Sequence, residues 1–249
     1  MKSNNPFKVH NINYLSPSSI NTYISDMPLW TMRYLFGVRS SSGAGAVRGI
    51  AEEYALAEKY EKGFFDFKAL ESKFIALCCE SNVDLNDSRT LKEKDALRSF
   101  GTILDENFNY KNLETYQEKV EVQLEDLPIP IIGYVDFLFK DTIVDLKTTN
   151  RMPSRPTEAQ KRQMALYSMA YPEKSVDLFF VSPKGHKIFT LDKLTAYKKQ
   201  LKKVAFSIEK FLSISEDRHE LASLLYPNFD KWEWSDDMKK EAKKIWSNK

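Results

Sequence analysis

Two aspartates and a lysine lie close together in one short segment, GYVDFLFKDTIVDLK at residues 133–147. They are Asp136, Asp145 and Lys147. Two carboxylates held near each other repel unless a cation or a proton sits between them. A hard divalent ion such as Mg²⁺, bound by carboxylates, a main-chain carbonyl and water, would relieve that repulsion. The residue types therefore indicate metal-dependent hydrolysis, provided that the fold brings them to one face.

A β-hairpin would bring the two aspartates together. Apolar, β-branched and aromatic residues fill 131–139 and 142–146, on either side of Lys140-Asp141. This pattern predicts two strands joined by a two-residue loop. In that register Asp136 stands opposite Asp145, and opposed side chains share a face with Cβ atoms roughly 4.5–5.5 Å apart.

Lys147 lies two positions after Asp145 and points to the same face, because strand side chains alternate. The opposite face is apolar and suited to burial under a helix or a second sheet. Its residues are Val135, Phe137, Phe139, Val144 and Leu146. A surface hairpin with an Asp145–Lys147 ion pair and a solvated Asp136 is the alternative, but the apolar neighbours of Asp136 favour the metal site.

Composition indicates an ordinary globular protein. Of the 249 residues, 42% are hydrophobic, enough for the core of one large domain or two small ones. No run approaches the roughly 18 apolar residues of a membrane span, and the start, MKSNNP, lacks the apolar segment of a signal peptide. We therefore expect a cytoplasmic protein. The adjacent Cys78 and Cys79 cannot supply a four-cysteine metal site.

Positive charge is concentrated locally, although the net charge is only +2. Residues 147–163, 192–210 and 238–249 each carry an excess of four positive charges. Such runs could follow a phosphate backbone. A solvated helix face is the alternative for the two C-terminal runs.

Capping residues and apolar spacing predict a mainly helical N-terminal part. Ser16 is suited to cap a helix that begins at Pro17 and ends near Pro28. Further helices are predicted over 29–36, 44–61, 66–80 and 89–110.

From Glu118 the apolar period becomes that of strands. The hairpin is preceded by a strand at 120–124 and followed by a helix over 158–170, with Thr157 and Gln160 as a capping box. Strands near 176–181 and 186–191, a helix over 193–213 and a short helix from about residue 235 complete the prediction.

This order predicts an α/β or α+β fold, a central mixed sheet flanked by helices. We expect a single domain over 1–249, with a mainly helical part at 1–115, a catalytic core at 116–215 and a helical tail at 216–249.

Glu53 is a candidate third carboxylate. It lies four residues after Gly49 and four before Ala57, so small residues flank it on one helix face and would let an ion or a backbone approach. An exposed glutamate beside Glu52 is the alternative.

Gln163 and Tyr167 lie one helical turn apart. Both could bond to phosphates, and Tyr167 could stack on a base or sugar. The polar edge of a core-facing helix is the alternative. Other catalytic schemes are excluded, because the sequence contains no HExxH, no Gly-rich phosphate loop and no GxSxG.

The ordered set Gly49-x-x-x-Glu53, Gly133-Tyr-Val-Asp136, Asp145-Leu-Lys147 and Gln163-x-x-x-Tyr167 resembles the PD-(D/E)XK nuclease superfamily. It is most similar to the RecB-type exonuclease branch, which includes CRISPR-associated RecB-like nucleases and phage exonucleases. The segment LSPSSI at residues 15–20 also resembles the start of that branch.

The resemblance implies a restriction-endonuclease-like core that binds one or two Mg²⁺ or Mn²⁺ ions. The implied metal ligands are Glu53, Asp136, Asp145 and the carbonyl of Leu146. Lys147 would orient or activate the attacking water. The expected DNA contacts are Gln163, Tyr167, Arg162, Ser16 and Arg48.

The chain departs from the branch in two places. Many members have histidine where Glu53 stands, although glutamate is a competent ligand for a hard metal. Many also carry four cysteines for an iron–sulfur cluster, and we expect none in this chain. Packing by Met27, Trp232 and Trp234 is expected to replace the staple that the cluster provides.

The sequence thus predicts a metal-dependent deoxyribonuclease. We expect an exonuclease that acts on DNA ends in recombination, repair or phage DNA metabolism, in the cytoplasm of a bacterial or phage-infected cell. No membrane is involved, a recombination or replication protein could be a partner, and the oligomeric state is left open. The alternatives are a structure-specific or single-strand endonuclease and a non-catalytic nucleic-acid-binding module.

Overall fold

A five-stranded mixed sheet forms the centre of the fold. The computed structural model describes residues 5–40 and 42–246; the first residues of the predicted leader, residue 41 and the last lysine of the tail lie outside them. The strands follow chain order across the sheet: β1 (Leu113–Val122), β2 (Ile131–Phe139), β3 (Thr142–Thr148), β4 (Ser175–Ser182) and β5 (Gly185–Thr190). Only β3 and β4 pair in parallel, and the segment that joins them contains a helix, as parallel pairs require.

Helices cover both faces of this sheet. Within the described residues they are α1 (Pro6–Val9), α2 (Pro17–Ser25), α3 (Met27–Trp30), α4 (Ala44–Lys62), α5 (Phe67–Glu80), α6 (Ser88–Asn107), α7 (Glu158–Ala170), α8 (Thr195–Leu212), α9 (Arg218–Ser223) and α10 (Asp236–Trp246). A π-helical turn over Thr31–Leu35 follows α3. The predicted fold, a mixed sheet flanked by helices, is confirmed. None of the described helices is long and apolar enough to cross a membrane.

The strands bury both of their faces. Along β4, Leu178 and Phe180 pack into a core with α2, α7 and α8, whereas Phe179 and Val181 pack into a second core with α4, α5 and α6. Alternation along an extended chain sends neighbouring side chains to opposite faces. The sheet is therefore the middle layer of three, and polar groups on it are shielded from water.

Local capping chemistry sets several helix ends where the sequence predicts them. The side chain of Ser16 accepts a hydrogen bond from the backbone of Ser19 and caps α2. Thr157 and Gln160 form the predicted capping box of α7, and Gly63 ends α4 in the left-handed conformation at φ 82°. These signals act within one turn, so they can be read without knowledge of the tertiary fold.

Strand β1 begins earlier than the sequence indicates. Leu113 already pairs with Phe139, so part of the region predicted to be helical is strand. The pairing with β2 overrides a segment whose charged residues give no clear strand alternation. The short helices α1 and α9 were also not predicted, because they are too short to show an apolar period.

Trp234, but not Trp232, acts as the predicted C-terminal staple. Trp234 is buried in a cluster with Leu29, Met32 and Met238, and its indole N–H donates to Asp26 Oδ2 over 3.3 Å. Trp232 is 89% exposed, so its predicted packing role is wrong. One tryptophan therefore fastens the C-terminal tail to α3 and the turn after it.

The two tryptophans give a matched stability test. Trp234→Ala should lower the free energy of unfolding by about 3–5 kcal/mol, the usual cost of removing a buried aromatic side chain. Trp232→Ala should change it by less than about 0.5 kcal/mol. Urea denaturation followed by circular dichroism measures both, and equal effects of the two variants would contradict the assignment.

Candidate active site

The hydrogen-bonded ladder of the β2–β3 hairpin ends just before Asp136. Phe137 pairs with Val144 and Leu138 with Ile143, which confirms the predicted register. Beyond this point the backbone N–H of Leu146 donates to Asp136 Oδ2 over 2.9 Å. The carboxylate is thus the acceptor for a β3 amide at the point where the ladder stops, and it is held against the backbone one residue away from Asp145.

The predicted apolar face of the hairpin is buried, with one exception in its placement. Phe137, Phe139, Val144 and Leu146 lie in the core beneath α4, α5 and α6. Val135 is buried in the opposite core with α7. The alternation is therefore not continuous along β2, and it changes close to Asp136.

Asp145 is the most deeply buried acid of the site, with no exposed surface. Its Oδ2 lies 2.6 Å from Lys147 Nζ, and its Oδ1 accepts a hydrogen bond from Gln163 Nε2 over 3.0 Å. The predicted neighbourhood of these residues is therefore present, and α7 supplies a third partner. Because Asp145 is buried, the alternative of a solvated surface pair does not describe it.

Gln163 and Tyr167 form a chain that links β3 to β2. Gln163 Nε2 also donates to Tyr167 Oη over 2.9 Å, and Tyr167 Oη donates to the carbonyl of Tyr134 over 2.5 Å. A Cβ at Gly133 would lie 2.9 Å from Tyr167 Cε1, so glycine is what lets the ring pack on the strand. The ring is only 1% exposed; the suggestion that Tyr167 stacks on a base is therefore wrong.

Glu53 projects from α4 toward the same cluster. A Cβ at Gly49 would lie 3.3 Å from Thr148 Oγ1, so the small residue does permit the close approach of β3 that the sequence suggests. Its neighbour Glu52 is fully buried and paired with Arg48 at 2.8 Å. The two adjacent glutamates thus have different surroundings, and only Glu53 faces the charges of the hairpin.

Gln117 on β1 is a site residue that sequence reasoning missed. Its Nε2 donates to Glu53 Oε2 over 2.9 Å, and its backbone is left-handed at φ 54°. That conformation is uncommon for a residue other than glycine and costs free energy. Nothing local in the sequence indicates it, because the contact joins α4 to a strand 64 residues later.

The electrostatics reflect crowded negative charge. Burial raises the pKa of Asp136 well above its ordinary value, and Asp145 raises it further. Burial also raises the pKa of Glu53 to about 7, against the opposing effect of Lys147. Burial lowers the pKa of Lys147, but the nearby Asp145 and Asp136 outweigh this and raise it above its ordinary value. The lysine therefore stays charged at neutral pH.

Two predicted DNA contacts have structural partners instead. Arg48 is only 2% exposed, bonds to Glu52 and Glu93, and lies 3.6 Å from the centre of the Phe100 ring. Its charge is thus used inside the helical layer, and the expected DNA contact is wrong.

Arg162 is also buried. It donates to Asn21 on α2 and to Gln200 on α8, so it ties two helices to α7 and is not free to reach a backbone. Ser16 caps α2, as described above, and also lines a groove that reaches Gln163.

The oxygen-rich donor set fits a hard divalent ion. No group of three or more His, Cys, Asp and Glu residues in the described part of the chain is arranged as a ready metal cage. Lys147 and Gln117 occupy two of the carboxylates instead. Asp145 Oδ2, however, is buried without a hydrogen bond. An acceptor left in this state next to a second carboxylate is suited to a cation.

The family comparison assigns this site to a class. The family model for the PD-(D/E)XK nuclease superfamily matches residues 14–243, which is most of the chain. The chain belongs to the PD-(D/E)XK nuclease superfamily, and the predicted resemblance is confirmed at that level. A search of the curated proteins gives no match.

Solved structures agree with this fold. The crystal structure of "Putative exonuclease" from Eubacterium rectale aligns over 96% of this chain and 92% of its own, with a TM-score of 0.60 and 12% identity. At that identity the likeness shows the fold alone. The crystal structure of SSO0001 aligns over 82% of this chain and 96% of its own, with 13% identity, but its TM-score of 0.35 carries no argument.

The raised pKa of Asp136 predicts a pH-dependent stability. An aspartate has a pKa near ~3.9 in an unfolded chain, so the folded protein binds more protons between that value and the raised one. Metal-free stability should therefore fall as the pH rises through this range. Asp136→Asn keeps the acceptor for Leu146 and removes the charge, so in EDTA at alkaline pH it should raise the melting temperature by at least about 2 °C.

The matched control is Asp141→Asn in the exposed β2–β3 turn, which should leave the melting temperature unchanged. Differential scanning fluorimetry at acidic and alkaline pH measures both. The gain from Asp136→Asn should shrink at acidic pH; a variant less stable than the parent protein under alkaline, metal-free conditions would show that the charge is not a burden.

Proposed function

We propose that the chain is a divalent-metal-dependent deoxyribonuclease that degrades DNA from its ends. The observation that supports this best is the buried Asp145, held between Lys147 on one oxygen and Gln163 on the other, with Asp136 and Glu53 adjacent. Membership of a nuclease superfamily supports phosphodiester hydrolysis as the reaction.

Four oxygen donors would hold the ion. They are the carboxylates of Glu53, Asp136 and Asp145 and the carbonyl of Leu146. Bound there, Mg²⁺ or Mn²⁺ would lower the pKa of a water molecule and polarise the scissile phosphate. One or two ions would serve, because the carboxylates lie on three different elements: α4, β2 and β3.

Lys147 would provide the positive charge next to the reacting phosphate. Its Nζ is anchored on Asp145, and the same aspartate raises its pKa. A fixed ammonium group can orient the attacking water and stabilise charge that develops on the phosphate oxygens. Gln163 would keep Asp145 in one orientation, because it also bonds to Tyr167.

The preference for ends rests on weaker support. The motif order is similar to the RecB-type exonuclease branch, and one protein of similar fold is named an exonuclease. Recombination, repair or phage DNA metabolism in the cytoplasm would be the setting, with a recombination or replication protein as a partner. A structure-specific or single-strand endonuclease would use the same groups.

Substitutions within one hairpin test the catalytic assignment. Asp145→Ala and Lys147→Ala should each lower cleavage by at least about 100-fold, the usual effect of losing a group that stabilises the transition state. Asp141→Ala and Lys140→Ala, in the exposed turn of the same hairpin, should cleave like the parent protein. The assay follows end-labelled linear single- and double-stranded DNA with Mg²⁺ or Mn²⁺.

Closed circular DNA in the same assay separates the two modes of cleavage. An exonuclease leaves it intact while it shortens linear DNA, whereas cutting of the circle would favour the endonuclease. Metal-dependent cleavage that survives in highly purified Asp145→Ala would sink the proposed centre altogether.

A further inference from the structure

A groove of about 780 Å³ adjoins the candidate active site. Its walls come from the segment before α2, the π-helical turn and the residues after it, and the start of β2, and at one end they include Gln163 and Tyr167. Gln163 also donates to Asp145. A linear ligand that lies in the groove would therefore have one end beside the carboxylates.

Two exposed tyrosines line this groove. Tyr14 is 51% exposed and Tyr134 54%, and both contribute to the lining. They come from neighbouring backbone segments, because Leu15 forms a parallel bridge with Ile131 and its carbonyl accepts from the backbone N–H of Ile132. Half-exposed aromatic side chains in a groove are suited to stack on flat rings of a ligand.

The charge of the groove is positive. Arg33 and Arg39 line it, and no aspartate or glutamate is among the lining residues in the part of the chain that the structure describes. Neither guanidinium forms an ion pair with a described residue; Arg39 lies 5.9 Å from the centre of the Tyr34 ring. Two unneutralised arginines in a groove that also presents tyrosines match a ligand with phosphates and bases.

We propose that this groove binds single-stranded DNA and delivers its end to the active site. The tyrosines would stack on unpaired bases, and the arginines would contact phosphates. The bases of a duplex are already stacked on each other and would not reach Tyr14 and Tyr134, so the groove selects single strands without reading sequence. The delivery to a cleavage centre rests on the proposed function; the binding does not.

Binding in EDTA tests the groove without cleavage. The probe is a fluorescein-labelled oligodeoxythymidine of about 16 nucleotides, near the upper site size of single-strand grooves, and fluorescence anisotropy gives the affinity. Tyr14→Ala and Tyr134→Ala should each weaken binding roughly 5- to 150-fold, the range expected for loss of one base stack. Tyr14→Phe and Tyr134→Phe retain the ring and should bind like the parent protein.

Tyr226→Ala is the matched control, because Tyr226 is 93% exposed and does not line the groove. It should leave the affinity unchanged. Arg33→Ala and Arg39→Ala should each lower the slope of log affinity against log salt concentration by about 0.7, the value for one phosphate contact to a single strand. A duplex of the same length should bind more weakly, without dependence on either tyrosine.

The outcomes separate this inference from the proposed function. If both alanine variants bind the single strand as tightly as the parent protein, the groove assignment is overturned, even where cleavage is intact. The same holds if the Phe variants lose as much affinity as the Ala variants, or if duplex binding shows the same dependence. Loss of binding in the Ala variants alone, in a protein that cleaves nothing with Mg²⁺ or Mn²⁺, supports the groove and overturns the nuclease centre.

Discussion

Confinement of like charges beneath two helical layers is the constraint on which the rest of the structure depends. Asp145 is completely buried and Asp136 nearly so, and an unpaired buried ion costs several kcal/mol. Lys147 and the N–H of Leu146 offset part of that cost. The raised pKa values of Asp136 and Glu53 show that the compensation is incomplete, and this residual repulsion is what a divalent ion would relieve.

The end of the β2–β3 ladder connects this constraint to a path for substrate. Past Phe137 and Val144 the strands no longer pair directly, and α7 bridges them through Gln163 and Tyr167. Tyr134 belongs to both sides of the arrangement: its carbonyl accepts from Tyr167, and its side chain lines the groove. The bridge that orients Asp145 is thus also one wall of the proposed single-strand path.

The sequence predicts what local rules determine. The hairpin register follows from strand alternation around Lys140-Asp141, and the capped start of α7 follows from Thr157 and Gln160, because each depends on neighbours a few residues away. Arg48 could not be placed, since its partner Glu93 lies 45 residues further along the chain. The left-handed Gln117 was missed for the same reason: its conformation depends on a contact made only in the folded protein.

Calorimetric titration of the metal-free protein with Mn²⁺ tests the central claim most directly, because it needs no substrate and no catalysis. The account predicts a saturable binding site that Asp145→Asn and Asp136→Asn each weaken by an order of magnitude or more, while Asp141→Asn in the exposed turn binds like the parent protein. Equal Mn²⁺ affinity in the parent protein and in both site variants would contradict it.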